Sequence, residues 1–493
     1  MWMVIPLAVT ALLGAFGAYG DPVPVIAVIL LVFAAVLIYA LRMDLASLVI
    51  VTTPIMFYAD FGSRVNLSIS DIFIVLLAIR ALSSPSLAIA RQRLRVPVAL
   101  AAISMLALTA AMTIGILVPS SVPISWQGYF LDLPKLLVVF AYFLIAILVF
   151  YDKFRLGDFG FLRVWVITAV TIAALGTIGS VLYDRGVDVG LSYGFRASAT
   201  FEDPNAYAAF LLASLGVAMA WSYIHRGRVL SISLIPILIG IYFSYSRAAM
   251  IAIALIFALS FLLSVGSRAL RNVRRLAYGV AAAIIVAFLA GRLENVLESR
   301  RDLSIEGDIR LSVWAAAVKV WSDSPFVGVG LGQFRAATAS YVETSATPLA
   351  HNTYLSFLAE GGIVGLALFL AIPIAVAVLL LRDGGVVSRL FLLSVAGFAI
   401  MGASLNLQNS RSIWLLLGIF LGWALLRRTV ENTTDAPSYR QMTENAKTIR
   451  PTKHPQPRRS VFESTTTVTN EKNLVRGSDG RVPLVKSTNQ VET

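Results

Sequence analysis

From Ala350 to Gly365 the chain reads A-H-N-T-Y-L-S-F-L-A-E-G-G-I-V-G, which sets a histidine and an asparagine directly in front of a long apolar stretch. The 493 residues include 3 histidines, so an imidazole where a polar loop meets an apolar helix stands out. A titratable ring at such a boundary must find hydrogen-bond partners or face water, and an ordinary pKa of about 6.5 lets it exchange a proton at neutral pH. His351 is therefore the first candidate for acid-base chemistry, with Asn352 as its polar neighbour.

Four further segments carry polar or cationic residues at the ends of apolar blocks. In R-A-S-A-T-F-E-D-P-N-A-Y, Arg196 to Tyr207, Asp203 before Pro204 reads as a helix start, with Asn205 following; capping explains Asp203, and a salt bridge to Glu202 would explain Arg196. In S-Y-S-R-A-A-M, Ser246 reads as a helix cap, while Arg247 places a permanent cation at a boundary where an arginine also snorkels to lipid phosphate. Arg310, in D-I-R-L-S-V-W, opens an apolar-periodic segment that reaches Trp321, and an ion pair with Asp308 or Glu306 is its plain alternative. The run P-F-V-G-V-G-L-G-Q-F, Pro325 to Phe334, lacks the spacing and the preceding strand of a phosphate-cradling loop and reads as a flexible turn. Asp158-Phe159-Gly160 mimics a kinase motif without the rest of its set.

These residues need a scaffold, and the composition supplies one kind. The chain is 58% hydrophobic and 14% charged, with a mean hydropathy of +0.81. Its apolar blocks are long enough to cross a bilayer as helices. Windows of about twenty residues give roughly fourteen candidate spans: 3–19, 22–41, 44–59, 68–83, 96–118, 131–150, 161–182, 204–223, 228–243, 247–265, 273–291, 352–381, 386–404 and 411–427. The expected fold is an all-α polytopic membrane protein with about 12 to 14 transmembrane helices and one long outer loop, 292–350, that carries short helices, including an amphipathic one over Leu311 to Trp321. Residues 1–428 form the expected membrane core. From 429 to 493 the composition turns to Ser, Thr, Asn, Pro and mixed charge and reads as a disordered cytoplasmic tail.

Basic residues sort the loops. Arg91, Arg93 and Arg95, then Lys153, Arg155 and Arg163, then Arg226 and Arg228, Arg268 to Arg275, Arg382 and Arg389, and Arg427 with Arg428 fall on every second connection. Lys and Arg near span ends stay cytoplasmic, so both termini are expected inside and every candidate residue above outside. The same bias accounts for the net charge of +13 and pI near 10.0 without a nucleic-acid partner, because the charge lies on short loops. No cysteine is present, which excludes disulfides, thiolate catalysis and Cys-ligated metal. The first segment lacks a basic n-region and is read as a retained span.

Cations and one imidazole on the face away from nucleotide pools call for an anionic substrate delivered through the membrane, and a lipid-linked diphosphate fits. Guanidinium groups bind such a diphosphate in bidentate fashion and stabilise it as a leaving group. The outer loops carry no Asp-x-Asp pair, although Glu306 and Asp308 come close, which argues against a nucleotide-sugar transferase.

The D-P-N at Asp203, the S-R turn at Ser246, the R-x-x-x-W from Arg310 to Trp314, the P-x-x-G-x-G at Pro325 and the H-N-x-Y-L-x-x-L-x-E-x-G from His351 to Gly362 together resemble the O-antigen ligase and polymerase superfamily over roughly residues 195 to 370. The resemblance implies a bacterial inner-membrane glycosyltransferase of the GT-C kind, acting on the periplasmic face without metal or other cofactor. It implies an undecaprenyl-diphosphate-linked glycan as donor, and lipid A core or a further glycan as acceptor. It also implies that Arg247 and Arg310 hold the diphosphate while His351 assists the acceptor hydroxyl, with Arg196 as supplementary charge and Asp203, Asn205, Ser246 and Asn352 lining the substrate. A repeat-unit polymerase for O-antigen, capsule or exopolysaccharide uses the same donor and stays open. A transporter or flippase is the rival from another class; it would place ionisable groups near mid-membrane, where Lys135 and Glu360 are the charges well inside the proposed spans.

Overall fold

A computed structural model describes residues 44–55, 68–117, 124–225, 229–262, 300–339, 341–342 and 349–431. The spans expected at 3–19, 22–41 and 273–291, the basic residues Arg226, Arg228 and Arg268 to Arg275, and the tail beyond residue 431 lie outside the described residues.

The described chain is helical apart from one two-residue hairpin. In order come α1 (Leu45–Thr52), α2 (Ile69–Ser83), α3 (Ala88–Arg93), α4 (Arg95–Leu117), α5 (Trp126–Arg155), α6 (Gly160–Tyr183), β1 (Ser192–Tyr193), β2 (Arg196–Ala197), α7 (Pro204–Ile224), α8 (Val229–Phe243) and α9 (Arg247–Leu262). They are followed by α10 (Arg300–Asp323), α11 (Phe334–Thr338), α12 (Thr353–Asp383), α13 (Val386–Gly402) and α14 (Arg411–Glu431). Among the described residues six helices are long and apolar enough to cross a membrane, or seven if α2 and the 85–93 segment, bent by 74°, form one span. Three shorter apolar helices accompany them at Ser233–Phe243, Arg247–Leu259 and Val386–Gly402. This is an all-α polytopic membrane protein. Helix α14 runs three residues past Arg428, where the core was expected to end.

Side-chain pairing fixes which helix ends lie together. Helices α5 and α14 run side by side in the same direction: Trp414 meets Phe140 and Phe143 edge-on at 5.6 and 6.0 Å, and Trp423 meets Phe154 at 5.0 Å. Where the start of α14 meets the middle of α5, Asp71 takes a buried bidentate pair from Arg411 (Nε to Oδ1 2.6 Å, Nη2 to Oδ2 2.7 Å) and a further bond from the Tyr142 hydroxyl at 3.0 Å. A buried carboxylate is tolerable only when partnered to this degree. Helix α13 runs antiparallel to α7, with the Ser394 hydroxyl on the Ala213 carbonyl at 2.6 Å, so its C-terminal end lies beside the start of α7. Thr353 binds the Leu405 carbonyl through both its N–H (3.1 Å) and its hydroxyl (2.6 Å), which brings the start of α12 to the same end.

The opposite end collects the loops read as cytoplasmic. Lys153 pairs with Asp44 at 2.5 Å and Asp158 at 2.8 Å, Arg155 with Asp152 at 2.7 Å, and Arg427 with Asp383 at 2.9 Å. His225 closes α7 there, stacked on Trp221 with ring centroids 3.4 Å apart and Nδ1 facing the Trp221 carbonyl at 3.2 Å. Burial and the Arg163 guanidinium draw its imidazole below its ordinary value, against the opposing pull of the Trp221 carbonyl.

Two expectations are corrected. The amphipathic helix of the long outer connection is not a short one over Leu311 to Trp321: α10 starts at Arg300 and has 24 residues. It buries Val313, Ala316, Ala317 and Val320 against Phe334, Ala337, Val342, Ala350 and Ala359 in a small core of its own, and leaves Leu311 and Val318 exposed.

The glycine run is a packed plug rather than a flexible turn. Helix α12 breaks at Gly362, whose φ of 61° and ψ of −163° suit glycine alone. The break leaves backbone groups without helical partners, and the run supplies them. Val329 and Gly330 N–H donate to the Ala359 and Glu360 carbonyls at 3.0 and 2.9 Å, while Ile363 and Val364 N–H donate to the Pro325 and Phe326 carbonyls at 2.9 and 3.1 Å. In a membrane such groups must be satisfied within the protein. A Cβ on Gly328 would strike the Ala359 and Glu360 backbone, and one on Gly362 would strike Phe326, so the two strands of this contact need both glycines.

Candidate functional site

The sequence places its candidate residues at loop-to-helix junctions, and the structure shows what holds each junction. At the start of α7, Asp203 caps the helix, its Oδ1 accepting from the Asn205 N–H at 2.7 Å and from Asn205 Nδ2 at 2.9 Å. Asn205 in turn offers Oδ1 to Arg196 Nη2 at 3.2 Å. Arg196 Nε donates to the Ser244 carbonyl at 3.0 Å, so the arginine ties the β1–β2 hairpin and the start of α7 to the turn between α8 and α9. In that turn Ser246 is 1% exposed and its hydroxyl accepts from the Ala249 N–H at 3.4 Å, a long bond in cap geometry. Arg247, the first residue of α9, is exposed and forms no ion pair among the described residues.

The second group forms around His351. Asn352 caps α12, accepting from the Tyr354 and Leu355 N–H groups at 3.0 and 3.1 Å. Its own N–H donates to Asn406 Oδ1 at 3.0 Å, and the Ser356 hydroxyl reaches the same oxygen at 3.3 Å. On the other side, Trp314 Nε1 donates to the Ala350 carbonyl at 2.8 Å. Arg310 lies one turn before Trp314 on the same face of α10 and is half-buried, as is His351. The structure thus brings the Arg310 face of α10 against the loop that carries His351.

Backbone strain marks both groups. Among the described residues Ala199, Tyr245 and His351 are the non-glycine residues with positive φ, at 50°, 52° and 43°. Each sits in a junction at this end of the bundle: before the α7 cap, before Ser246, and before Asn352. Such conformations cost about 1–3 kcal/mol apiece and persist where surrounding contacts impose them, typically at functional sites. The Arg196 and Arg247 group and the Arg310 and His351 group share this end of the bundle.

Sequence reasoning missed Asn406, which binds both the cap residue and Ser356. It also missed Gln333, whose Oε1 and Nε2 clamp the Ser125 N–H and carbonyl at 2.7 and 3.0 Å. The amide-rich N-L-Q-N at 406–409, between two apolar blocks, is the signal that could have found the first. Glu360 was noted as a charge inside a span but given no role; it is 7% exposed and its Oε1 accepts from the Phe334 N–H at 3.1 Å.

An all-α bundle of long apolar helices defines a polytopic membrane protein, with polar and cationic residues gathered at one end. Residues 232–370 match the family described as O-antigen ligase, and this supports the O-antigen ligase superfamily and an O-antigen ligase or polymerase type of membrane function in polysaccharide biosynthesis. The match takes in Ser246, Arg247, Arg310, the glycine run, His351 and Asn352. Arg196, Asp203 and Asn205 fall before it but are bonded to the turn it contains. No curated protein matches the chain.

Proposed function

We propose that the protein is a membrane glycosyltransferase that passes a glycan from an undecaprenyl-diphosphate donor to an acceptor hydroxyl on the periplasmic face of a bacterial inner membrane, as an O-antigen ligase does. The observation that carries this reading is the bond from Trp314 Nε1 to the Ala350 carbonyl, which sets the Arg310 face of α10 beside His351. A cation that suits a diphosphate and an imidazole that suits a hydroxyl then share one junction.

In this reading Arg310 and Arg247 hold the donor diphosphate, and Arg196 holds the turn that carries Arg247. The acceptor oxygen attacks the anomeric carbon, the carbon–oxygen bond to the diphosphate breaks, and the hydroxyl proton passes to His351. The diphosphate departs as a stable anion and needs no general acid, so the protein supplies positioning, charge and one base, with inversion and no covalent intermediate. An apolar cavity of about 290 Å³ between α12, α13 and α14, walled by Phe369, Leu370, Ile374, Phe398 and Trp414 and reaching Thr353 and Tyr354 near His351, supports this reading as a place for part of a prenyl chain.

The test is transfer by the purified full-length protein in liposomes with a prenyl-diphosphate oligosaccharide and an acceptor glycan. The wild type is expected to release prenyl diphosphate and form product, and Arg310→Ala and His351→Ala are each expected to lower the rate on the order of a hundredfold at equal folded protein. A rate unchanged in both variants would remove the assigned roles. One addition per acceptor marks a ligase, and a ladder of products marks a repeat-unit polymerase.

A further inference from the structure

Asn352, Ser356 and Glu360 follow one another at four-residue spacing and so share one face of α12, leading from the His351 junction toward the break at Gly362. That face borders a small cavity walled by Asp132 on α5, by Ser356 and Glu360, and by Gln408 and Asn409 in the connection between α13 and α14, with Met112 closing one side. The cavity measures about 20 Å³, just above the roughly 10–15 Å³ that one water-sized species occupies.

Its walls hold more acceptors than donors. Gln408 Oε1 is wholly buried with no hydrogen-bond partner among the described residues. The Ser356 hydroxyl proton is spent on Asn406. Asp132 is neutralised by Lys135, Nζ to Oδ1 at 2.9 Å, whereas Glu360 accepts from the Phe334 and Gly332 backbone N–H groups and has no ion pair among the described residues. With Glu360 ionised, the sum over Asp132, Lys135 and Glu360 is one negative charge beside an orphan carbonyl oxygen. Buried charge and unpaired acceptors are costly unless a counter-charge completes them. The position is also telling, because an ionisable group beside a broken membrane helix is where unwound backbone and side-chain oxygens coordinate small cations.

We propose that this cavity is a binding site for a single alkali-metal cation of sodium's size, held by the Glu360 and Asp132 carboxylates and Gln408 Oε1. A single positive charge closes the local sum, since Lys135 already offsets Asp132. Hard oxygen donors suit such an ion, and among the described residues no group of three His, Cys, Asp or Glu is placed to hold a metal ion that needs them. The ion would bridge α5, broken helix α12 and the 405–409 connection, the last of which holds the His351 junction through Asn406. The proposal stands apart from the transferase reading and is tested without substrate.

The experiment is thermal unfolding of the full-length protein in detergent, titrated with sodium chloride against choline chloride at equal ionic strength, at neutral and at mildly acidic pH. Saturable sodium binding is measured in parallel by equilibrium dialysis with radioactive sodium. Glu360→Gln keeps an acceptor for the Phe334 N–H but removes the charge; Gln408→Ala removes the orphan oxygen and leaves both carboxylates. The expected result is a saturable rise in Tm with sodium at neutral pH, lost in Glu360→Gln and weakened in Gln408→Ala. Equal Tm in both salts overturns the proposal, as does a sodium shift retained by both variants. A stabilisation that follows acidification and ignores sodium also overturns it, assigning a proton to Glu360 instead. Should Glu360→Gln fail to fold, the wild-type dialysis and Gln408→Ala decide, and absence of saturable sodium binding rejects the site.

Discussion

The indole of Trp314 and the carbonyl of Ala350, 36 positions apart in the chain, are joined by a 2.8 Å hydrogen bond that makes helix α10 a brace for the residue preceding His351. The R-x-x-x-W spacing then has a physical meaning. One turn separates the cation that would meet a substrate from the anchor that sets its place.

Removing the donor tests the brace. Trp314→Phe keeps the ring and leaves the Ala350 carbonyl unpaired, which costs about 1–3 kcal/mol where that group is shielded from water. The expected outcome is folded protein with glycan transfer reduced roughly tenfold or more, since a displaced base loses its alignment. Wild-type transfer at equal protein level would show that the brace has no bearing on the site.

His351 itself separates backbone from side chain. Its φ of 43° is a conformation glycine adopts freely, so His351→Gly relieves strain while removing the imidazole. We expect Tm equal to or above the wild type, with transfer lost. His351→Ala removes the ring but keeps the strain, and should be the less stable of the two. Full transfer by His351→Gly would end the assignment of a base at this position.

Arg196 is predicted to act through the turn it holds. Arg196→Lys keeps the charge but cannot reproduce two directed bonds, to the Ser244 carbonyl and to Asn205 Oδ1. Transfer should fall about as far in Arg196→Lys as in Arg196→Ala, with KM for the donor rising more than kcat falls, because the mispositioned group would be Arg247. Rescue by lysine would instead mean that charge alone matters there.

Adjacent glycines give a paired test of the broken helix. Gly362→Ala needs a backbone conformation alanine avoids and drives a methyl into Phe326, so a loss above about 3 kcal/mol, or failure to accumulate, is expected. A Cβ on Gly361 meets Met112 Cγ at 3.3 Å, a side-chain atom rather than backbone, so Gly361→Ala should cost far less than Gly362→Ala. Comparable behaviour of the two in a thermal shift assay would contradict the geometry.

The buried pair of Asp71 and Arg411 predicts strong coupling. Arg411→Met alone leaves the Asp71 carboxylate with only neutral donors, the Tyr142 hydroxyl and the Ser68 N–H, among the described residues, at a cost of about 3–5 kcal/mol. The double variant with Asp71→Asn should recover a large part of that loss. Additive losses in the double-mutant cycle would show that the two side chains do not interact.

Much of the helix pattern is set by sequence, because apolar blocks bounded by caps and prolines leave few alternatives in a membrane. Pro204 after Asp203 and Arg247 after Ser246 begin helices where their caps announced them, and the spans expected at 204–223 and 352–381 are found at Pro204–Ile224 and Thr353–Asp383. The candidate residues at these junctions were legible for the same reason, since polar and cationic side chains at span ends are too costly to place idly. What joins the junctions was not legible. The bond from Arg196 to the Ser244 carbonyl crosses 48 positions, and Asn406 reaches Asn352 across 54. The glycine run looked like a turn because its partners, the backbone groups freed at Gly362, exist only after α12 has broken around it. Local rules of burial and capping act along the chain, whereas these contacts depend on which helices pack together, and that choice belongs to the folded protein alone.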